Sequence, residues 1–165
     1  SSILGGTTKK SRLVKRWLFF FDFFFLSHKD ALIFAFIMET LTTSGITISV
    51  VAQYLPAHSN PRNRKLTFGY KICIANGTDH TVQLLRRHWH IWDGDNTKRE
   101  VEGEGVVGVQ PVLEPGASYT YASFCNLTCD IGKMHGSYLM MRLDNEQMFH
   151  VLIPLLKLIA PFKMN

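Results

Sequence analysis

From Gly45 onward apolar and polar residues alternate with a period of two, the mark of half-buried strands rather than of helices. Ile46, Ile48, Val50, Ala52 and Tyr54 alternate with Thr47, Ser49, Val51 and Gln53. After the turn-rich loop 58–63, a second strand carries Leu66, Phe68, Tyr70, Ile72 and Ile74 on its apolar face. Asn76-Gly77 predicts a type I′ hairpin, because both central positions of that turn need positive φ. A third strand runs from Val82 to Trp92 and is closed by the turn 93–96. Glu114-Pro115-Gly116 is a further turn, with Tyr119 and Tyr121 alternating beyond it. The last two strands are predicted at 134–142 and 149–159, separated by the turn 144–147, whereas 39–45 reads as a polar lead-in. About seven strands with turn chemistry between them predict an all-β chain: an immunoglobulin/fibronectin type III-like antiparallel β-sandwich, with a small barrel as the alternative. Pro154 and Pro161 predict that the last strand lies at an edge or carries a bulge, since proline cannot donate to a central ladder. The predicted core is Ile48, Val50, Phe68, Tyr70, Ile72, Leu84, Trp89, Leu113, Tyr121, Tyr138 and Ile153.

Composition changes this picture at one end only. The 165 residues carry a net charge of +5, but residues 1–37 hold six basic groups against two acidic ones, and 38–165 hold 12 against 11. Eight of the 12 phenylalanines also precede residue 38. The thirteen Leu, Ile and Phe between Trp17 and Ile37 favour bilayer insertion by roughly 4–8 kcal/mol, and Asp22, Lys29 and Asp30 oppose it by about 7–10 kcal/mol. The arithmetic argues against a span, and Asp22 with no small-residue cleavage site argues against a signal peptide. The expectation is two parts: a basic, Phe-rich extension over 1–37, read through a mis-assigned start, and a domain over 38–165 that opens at Met38. The body then stands near +1, which removes the main support for general nucleic-acid binding. Arg62, Arg64, Lys65, Arg86 and Arg87 are left as a local basic patch.

Three segments carry candidate chemistry. Gly103-x-Gly105-x-x-Gly108 has dinucleotide-fingerprint spacing, but Pro111 and Pro115 follow where a helix is needed, and Glu100, Glu102 and Glu104 would repel a phosphate. A glycine-bearing strand or loop that brings backbone close to a neighbour or a small ligand fits better, with phosphate held on turn amides as the alternative. In Arg86-Arg87-His88-Trp89-His90-Ile91-Trp92, strand alternation puts Arg86, His88, His90 and Trp92 on one face and Arg87, Trp89 and Ile91 on the other. His88 and His90 become metal ligands only if another strand brings a third, for which Glu102 and Glu104, or His135 and His150, are candidates; otherwise this is a solvated sheet face. Cys125-x3-Cys129 is a weak zinc signal in a predicted loop, and three cysteines without a secretory signal suggest reduced thiols and a cytoplasmic setting. No nucleophile–base pairing stands out, so no enzyme is expected and no catalytic residue is assigned.

The segments 99–108, 110–116, 121–123 and 132–138, with Leu85–Trp89, Asp93 and the ending 153–165, closely resemble the ApaG family, over about residues 45–165. The resemblance implies a fibronectin type III-like sandwich in a soluble bacterial protein associated with cobalt and magnesium efflux, with no established catalytic set. Related domains in eukaryotic proteins, some F-box proteins among them, are protein-contact modules. The family's glycine motif, discussed as a nucleotide or pyrophosphate site, falls here on Gly103, Gly105 and Gly108. Two departures matter: Val109 stands where the family often has Glu, and Phe124 stands where it has Gly, in what is expected to be a loop.

The resulting expectation is a non-catalytic binding module linked to cobalt and magnesium homeostasis, acting on a protein partner or a small phosphate-bearing ligand. Its candidate ligand residues are Gly103, Gly105, Gly108, Arg86, Arg87 and Trp89, with Mg2+ or Co2+ only as a weak cofactor candidate. The alternative is a nucleotide- or pyrophosphate-binding protein using the Gly103–Gly108 loop with a divalent metal. Neither nucleic acid nor membrane is an expected partner, and a homodimer stays open.

Overall fold

The computed structural model of the chain describes residues 38–163; the expectations for the 1–37 extension lie outside the described residues. These described residues form nine strands: β1 (Glu39–Thr43), β2 (Ile46–Tyr54), β3 (Leu66–Asn76), β4 (Val82–Asp93), β5 (Lys98–Glu104), β6 (Val112–Leu113), β7 (Ser118–Leu127), β8 (Ile131–Arg142) and β9 (Met148–Ile159). One antiparallel sheet runs β1-β2-β3-β7 and the other β5-β4-β8-β9, with short β6 also pairing β4. Their inner faces bury one core, in which Ile48, Val50, Phe68, Ile72, Leu84, Trp89, Leu113, Tyr121, Tyr138 and Ile153 all sit. Tyr70 differs from expectation, being only half-buried at the margin of that core. This is the predicted sandwich rather than a barrel, since β5 and β7 close no ladder with each other. Among the described residues the helical turns are short 3-10 segments, and none is long and apolar enough to cross a membrane.

Among the described residues β9 pairs only with β8 and is therefore an edge strand. Its register steps from Gly136↔Ile153 to Met134↔Leu156, so Pro154 and Leu155 face the single residue His135 in a bulge, where a missing N–H does no harm. Both alternatives offered for Pro154 hold together.

The turn chemistry departs from the sequence reading. Asn76-Gly77 is not a hairpin: β3 and β4 lie in different sheets, and Gly77 does not take positive φ. Asn76 is buried and its side chain organises the crossing instead. Its Oδ1 accepts from Thr78 N (3.0 Å) and Thr78 Oγ1 (2.7 Å), and its Nδ2 donates to the carbonyls of His80 (2.8 Å) and Leu113 (3.0 Å). Two-residue turns with positive φ occur instead at Ser44-Gly45 (φ 50°, 78°), which joins β1 to β2, and at Val107-Gly108 (φ 49°, 76°). Residues 39–43, expected as a lead-in, thus form a strand.

The two sheets are also tied through the core. The hydroxyls of Tyr121 on β7 and Tyr138 on β8 share a 2.5 Å hydrogen bond. Burial pushes both phenols well above their ordinary pKa, so the pair stays protonated.

Candidate functional site

Because β5 and β7 are, among the described residues, the edges of opposite sheets, the sandwich is open between them. A cleft of about 440 Å3 lies there, within the size range of small-molecule sites. Alternation along β4 sends Arg87, Trp89 and Ile91 into it, and alternation along β5 sends Arg99 and Val101. Trp89 packs on Tyr70 with ring centroids 5.7 Å apart. Arg87 Nη1 donates to the carbonyls of Glu104 and Gly105, both at 2.9 Å. Arg99 Nη2 donates to the Asn126 carbonyl and to Cys125 Sγ (3.3 Å).

Among the described residues no carboxylate lines the cleft, and two guanidinium groups face it. Burial raises the pKa of the Tyr70 phenol, against a hydrogen bond from Ser123 that lowers it, and the net shift is upward. Burial likewise raises the Cys125 thiol, and the nearby Arg99 does not reverse it. A protonated phenol, a protonated thiol and two cations make a set of hydrogen-bond donors. Such a set attracts an anion and offers no base.

The glycine motif lies on the rim of this cleft and is not a phosphate cradle of free amides. Gly103 is the last inward position of β5, and a Cβ there would lie 2.9 Å from the Arg87 guanidinium. Gly105 takes φ +55°, and its N–H donates to the Leu85 carbonyl (2.8 Å). Val106 and Val109 exchange N–H···O bonds of 2.8 and 3.0 Å around the Val107-Gly108 tip. The amides of Gly105, Val106 and Val109 are therefore spent on protein carbonyls. Phe124, expected in a loop, is a strand residue of β7, 64% exposed at the mouth of the cleft.

The opposite, solvent face of β4 gathers the histidines. Register pairs His88 with Glu102, His90 with Glu100 across to β5, and His90 with His135 across to β8. Glu100 reaches both histidines, with Oε2 2.9 Å from His88 Nε2 and Oε1 3.4 Å from His90 Nδ1. The hydrogen bond from His88 draws the Glu100 carboxyl below its ordinary value. Glu102 Oε1 stands 3.5 Å from His88 Nε2, while its other oxygen is 3.8 Å from Arg86 Nη2. The His135 ring stacks on Trp92 (4.7 Å) and lies 5.2 Å from that of His90; burial, then His90 and Lys133, lowers its pKa.

A second cluster of acidic and thiol groups, Asp93, Asp95 and Cys129, is a structural joint. Both oxygens of buried Asp93 are occupied: Thr128 N (2.8 Å) and Oγ1 (3.0 Å) on one, Cys129 N (2.9 Å) and Gly94 N (3.1 Å) on the other. Burial pulls this carboxyl's pKa upward, but the four hydrogen bonds outweigh it and leave it lowered. Cys125 belongs to β7, not to a loop, so the predicted Cys125–Cys129 pair is split between strand and turn, and all three described cysteines are free thiols.

The structure thus brings Arg87, Trp89 and Gly103 together at the cleft, and sends Arg86, His88, His90 and Glu102 to the other side of the sheet. Arg86 and Arg87 consequently do not share a basic patch, and Arg64 is turned to Asp95 (3.8 Å). Sequence reasoning missed Arg99, Tyr70 and Ser123 as cleft residues. Once 98–104 is read as a strand beside β4, the alternation Arg99, Val101, Gly103 would have found the first of them.

The ApaG domain family model matches residues 56–142. Protein ApaG of Brucella suis biovar 1 is 44% identical over 124 residues, which is 75% of this chain and 95% of that one. Protein ApaG of Methylocella silvestris is 41% identical over 125 residues, 76% of this chain and 95% of that one. The crystal structure of the putative ApaA protein from Bordetella pertussis is similar at a TM-score of 0.68 and 40% identity, covering 70% of this chain and 94% of that chain.

Proposed function

We propose that this protein, which belongs to the ApaG domain family, is a non-catalytic binding module that takes a small phosphate-bearing ligand between β5 and β7. One observation carries the reading: Arg87 and Arg99 face a cleft that, among the described residues, no carboxylate lines. Arginine's planar fork suits phosphate oxygens, and Trp89, Tyr70 and exposed Phe124 offer aromatic surface for a base or another flat group. The phosphate-binding role considered for the glycine loop passes in this reading to the guanidinium groups, because the loop's amides are largely engaged. The link to cobalt and magnesium homeostasis and the cytoplasmic setting rest on the family resemblance and, for the latter, on the free thiols.

Calorimetry with pyrophosphate, ATP and GTP, each with and without Mg2+, tests the reading. Saturable binding should weaken roughly 10–100-fold in Arg99→Gln, the loss expected for a charge-assisted hydrogen bond of about 1.5–3 kcal/mol. Binding indifferent to both Arg87→Gln and Arg99→Gln overturns the cleft as its site. A silent panel favours the second reading, a protein partner, which the free edge of β7 and exposed Phe124 would receive by strand addition.

A further inference from the structure

We infer that the solvent face of β4 and β5 is a transition-metal site, held by His88 Nε2, His90 Nδ1 and the Glu100 carboxylate, for Zn2+, Ni2+ or Co2+ rather than Mg2+. The inference is independent of the cleft, which opens on the other side of β4. Two histidines two residues apart on one strand point the same way, and the third ligand arrives from the neighbouring strand by register, not by loop accident. One donor atom from each of the three residues lies within 4.8 Å of the others.

The spacing fits a metal. Bonds of about 2.0–2.1 Å place neighbouring ligand atoms about 2.9 Å apart around an octahedral ion and about 3.3 Å apart around a tetrahedral one. The nitrogen–oxygen separations are 2.9 Å from His88 to one Glu100 oxygen and 3.4 Å from His90 to the other, which suits a carboxylate that presents both oxygens to the ion, with Glu102 Oε1 a further donor 3.5 Å from His88 Nε2. Little movement is therefore needed to replace a hydrogen bond by two coordinate bonds. His135 and Trp92 pack beside His90 and fix its ring. The site is half-open, with side-chain exposures of 32% for His88, 33% for His90 and 62% for Glu100, so water completes the coordination shell. Imidazole with one carboxylate is the donor set of borderline first-row ions, whereas Mg2+ asks for oxygen.

Zn2+, Ni2+ and Mg2+ titrated calorimetrically into the full chain test this. One Zn2+ or Ni2+ per chain should bind saturably, with Mg2+ silent at the same concentrations. Affinity should fall at least tenfold in His90→Gln and in Glu100→Gln, and stay unchanged when Asp95→Asn is combined with Cys129→Ser at the rival cluster. The inference is overturned by absent saturation, by binding that survives both ligand substitutions, or by binding lost only with Asp95 and Cys129. Should a ligand variant fail to fold, imidazole NMR of the unaltered chain decides: Zn2+ must shift the His88 and His90 rings together, and shifts confined to other histidines refute the site.

Discussion

Replacing the three motif glycines one at a time by alanine should give three different results, because each is glycine for a different reason. Gly108 sits at φ +76° with none of the described residues within 4 Å of a new Cβ, so Gly108→Ala meets only left-handed backbone strain, roughly 1–2 kcal/mol. Gly105 combines φ +55° with a Cβ that would lie 2.2 Å from the Val109 carbonyl oxygen, a backbone atom that cannot swing aside. Relief must separate the segment from Val109, endangering the two Val106–Val109 bonds and the Gly105 N–H to Leu85. At about 1 kcal/mol net per bond, added to the strain, Gly105→Ala should cost roughly 3–5 kcal/mol. Gly103→Ala meets the guanidinium tip of Arg87 at 2.9 Å, a flexible end that can move, so its cost should be no more than the roughly 1–2 kcal/mol of the two Arg87 hydrogen bonds it disturbs. That movement takes Arg87 off the Glu104 and Gly105 carbonyls, and ligand binding in the cleft should fall as well. Urea denaturation read by tryptophan fluorescence gives the ranking from midpoints at constant slope. Gly105→Ala no more costly than Gly108→Ala, or Gly103→Ala the most costly of the three, would refute the assignment.

Tyr121→Phe or Tyr138→Phe leaves one buried hydroxyl without its partner and should destabilise by roughly 1–3 kcal/mol, while the double variant should regain part of the loss in a thermodynamic cycle. Because burial raises both phenol pKa values in the folded state, the unfolded chain ionises first, and stability should fall as pH rises above about 10; removing both hydroxyls should flatten that limb. Asp93 is the acid counterpart: its folded pKa is lowered, so its contribution is present above about pH 3.9 and is lost as pH falls toward the folded value. Asp93→Asn presents an amide N–H to amides, should cost about 1–3 kcal/mol at neutral pH, and should weaken the acid dependence followed by circular dichroism.

Most strands were legible because their apolar positions alternate over eight or more residues with one face on the core, as in β2 and β3. β1 was missed because its outward-facing Thr and Glu give no such contrast, and the turn that makes it a strand is Ser44-Gly45, a weaker signal than Asn-Gly. The Asn76-Gly77 misreading has a physical source. Asparagine's capacity to organise a turn is used, but through its side chain, because four partners converge on that buried amide from Thr78, His80 and Leu113. The candidate site was half legible for a related reason. Alternation placed Arg87 and Trp89 opposite His88 and His90 without any structure, but Arg99 and Glu100 join them only through the pairing of β4 with β5, which no local pattern encodes.

The division of β4 into a cleft face and a histidine face depends on one irregularity. Val82 and Leu84 point inward at even positions, whereas Trp89, Ile91 and Asp93 point inward at odd ones, so the strand changes parity between them. The change is a bulge at Leu85, where the register to β8 shifts between Leu84 and Arg86. The bulged residue's carbonyl accepts from Gly105 N and from Gln110 Nε2, each at 2.8 Å. A one-residue slip there would turn Arg87 and Trp89 to solvent and drive His88 and His90 into the core, a face that burial would not tolerate for imidazoles. The conformation at Gly105, the hairpin tip at Val107-Gly108 and the reach of Gln110 therefore act together as the clamp that holds this parity. The glycine motif then bears on both faces of the strand, aiming Arg87 into the cleft and keeping His88 and His90 on the solvent side.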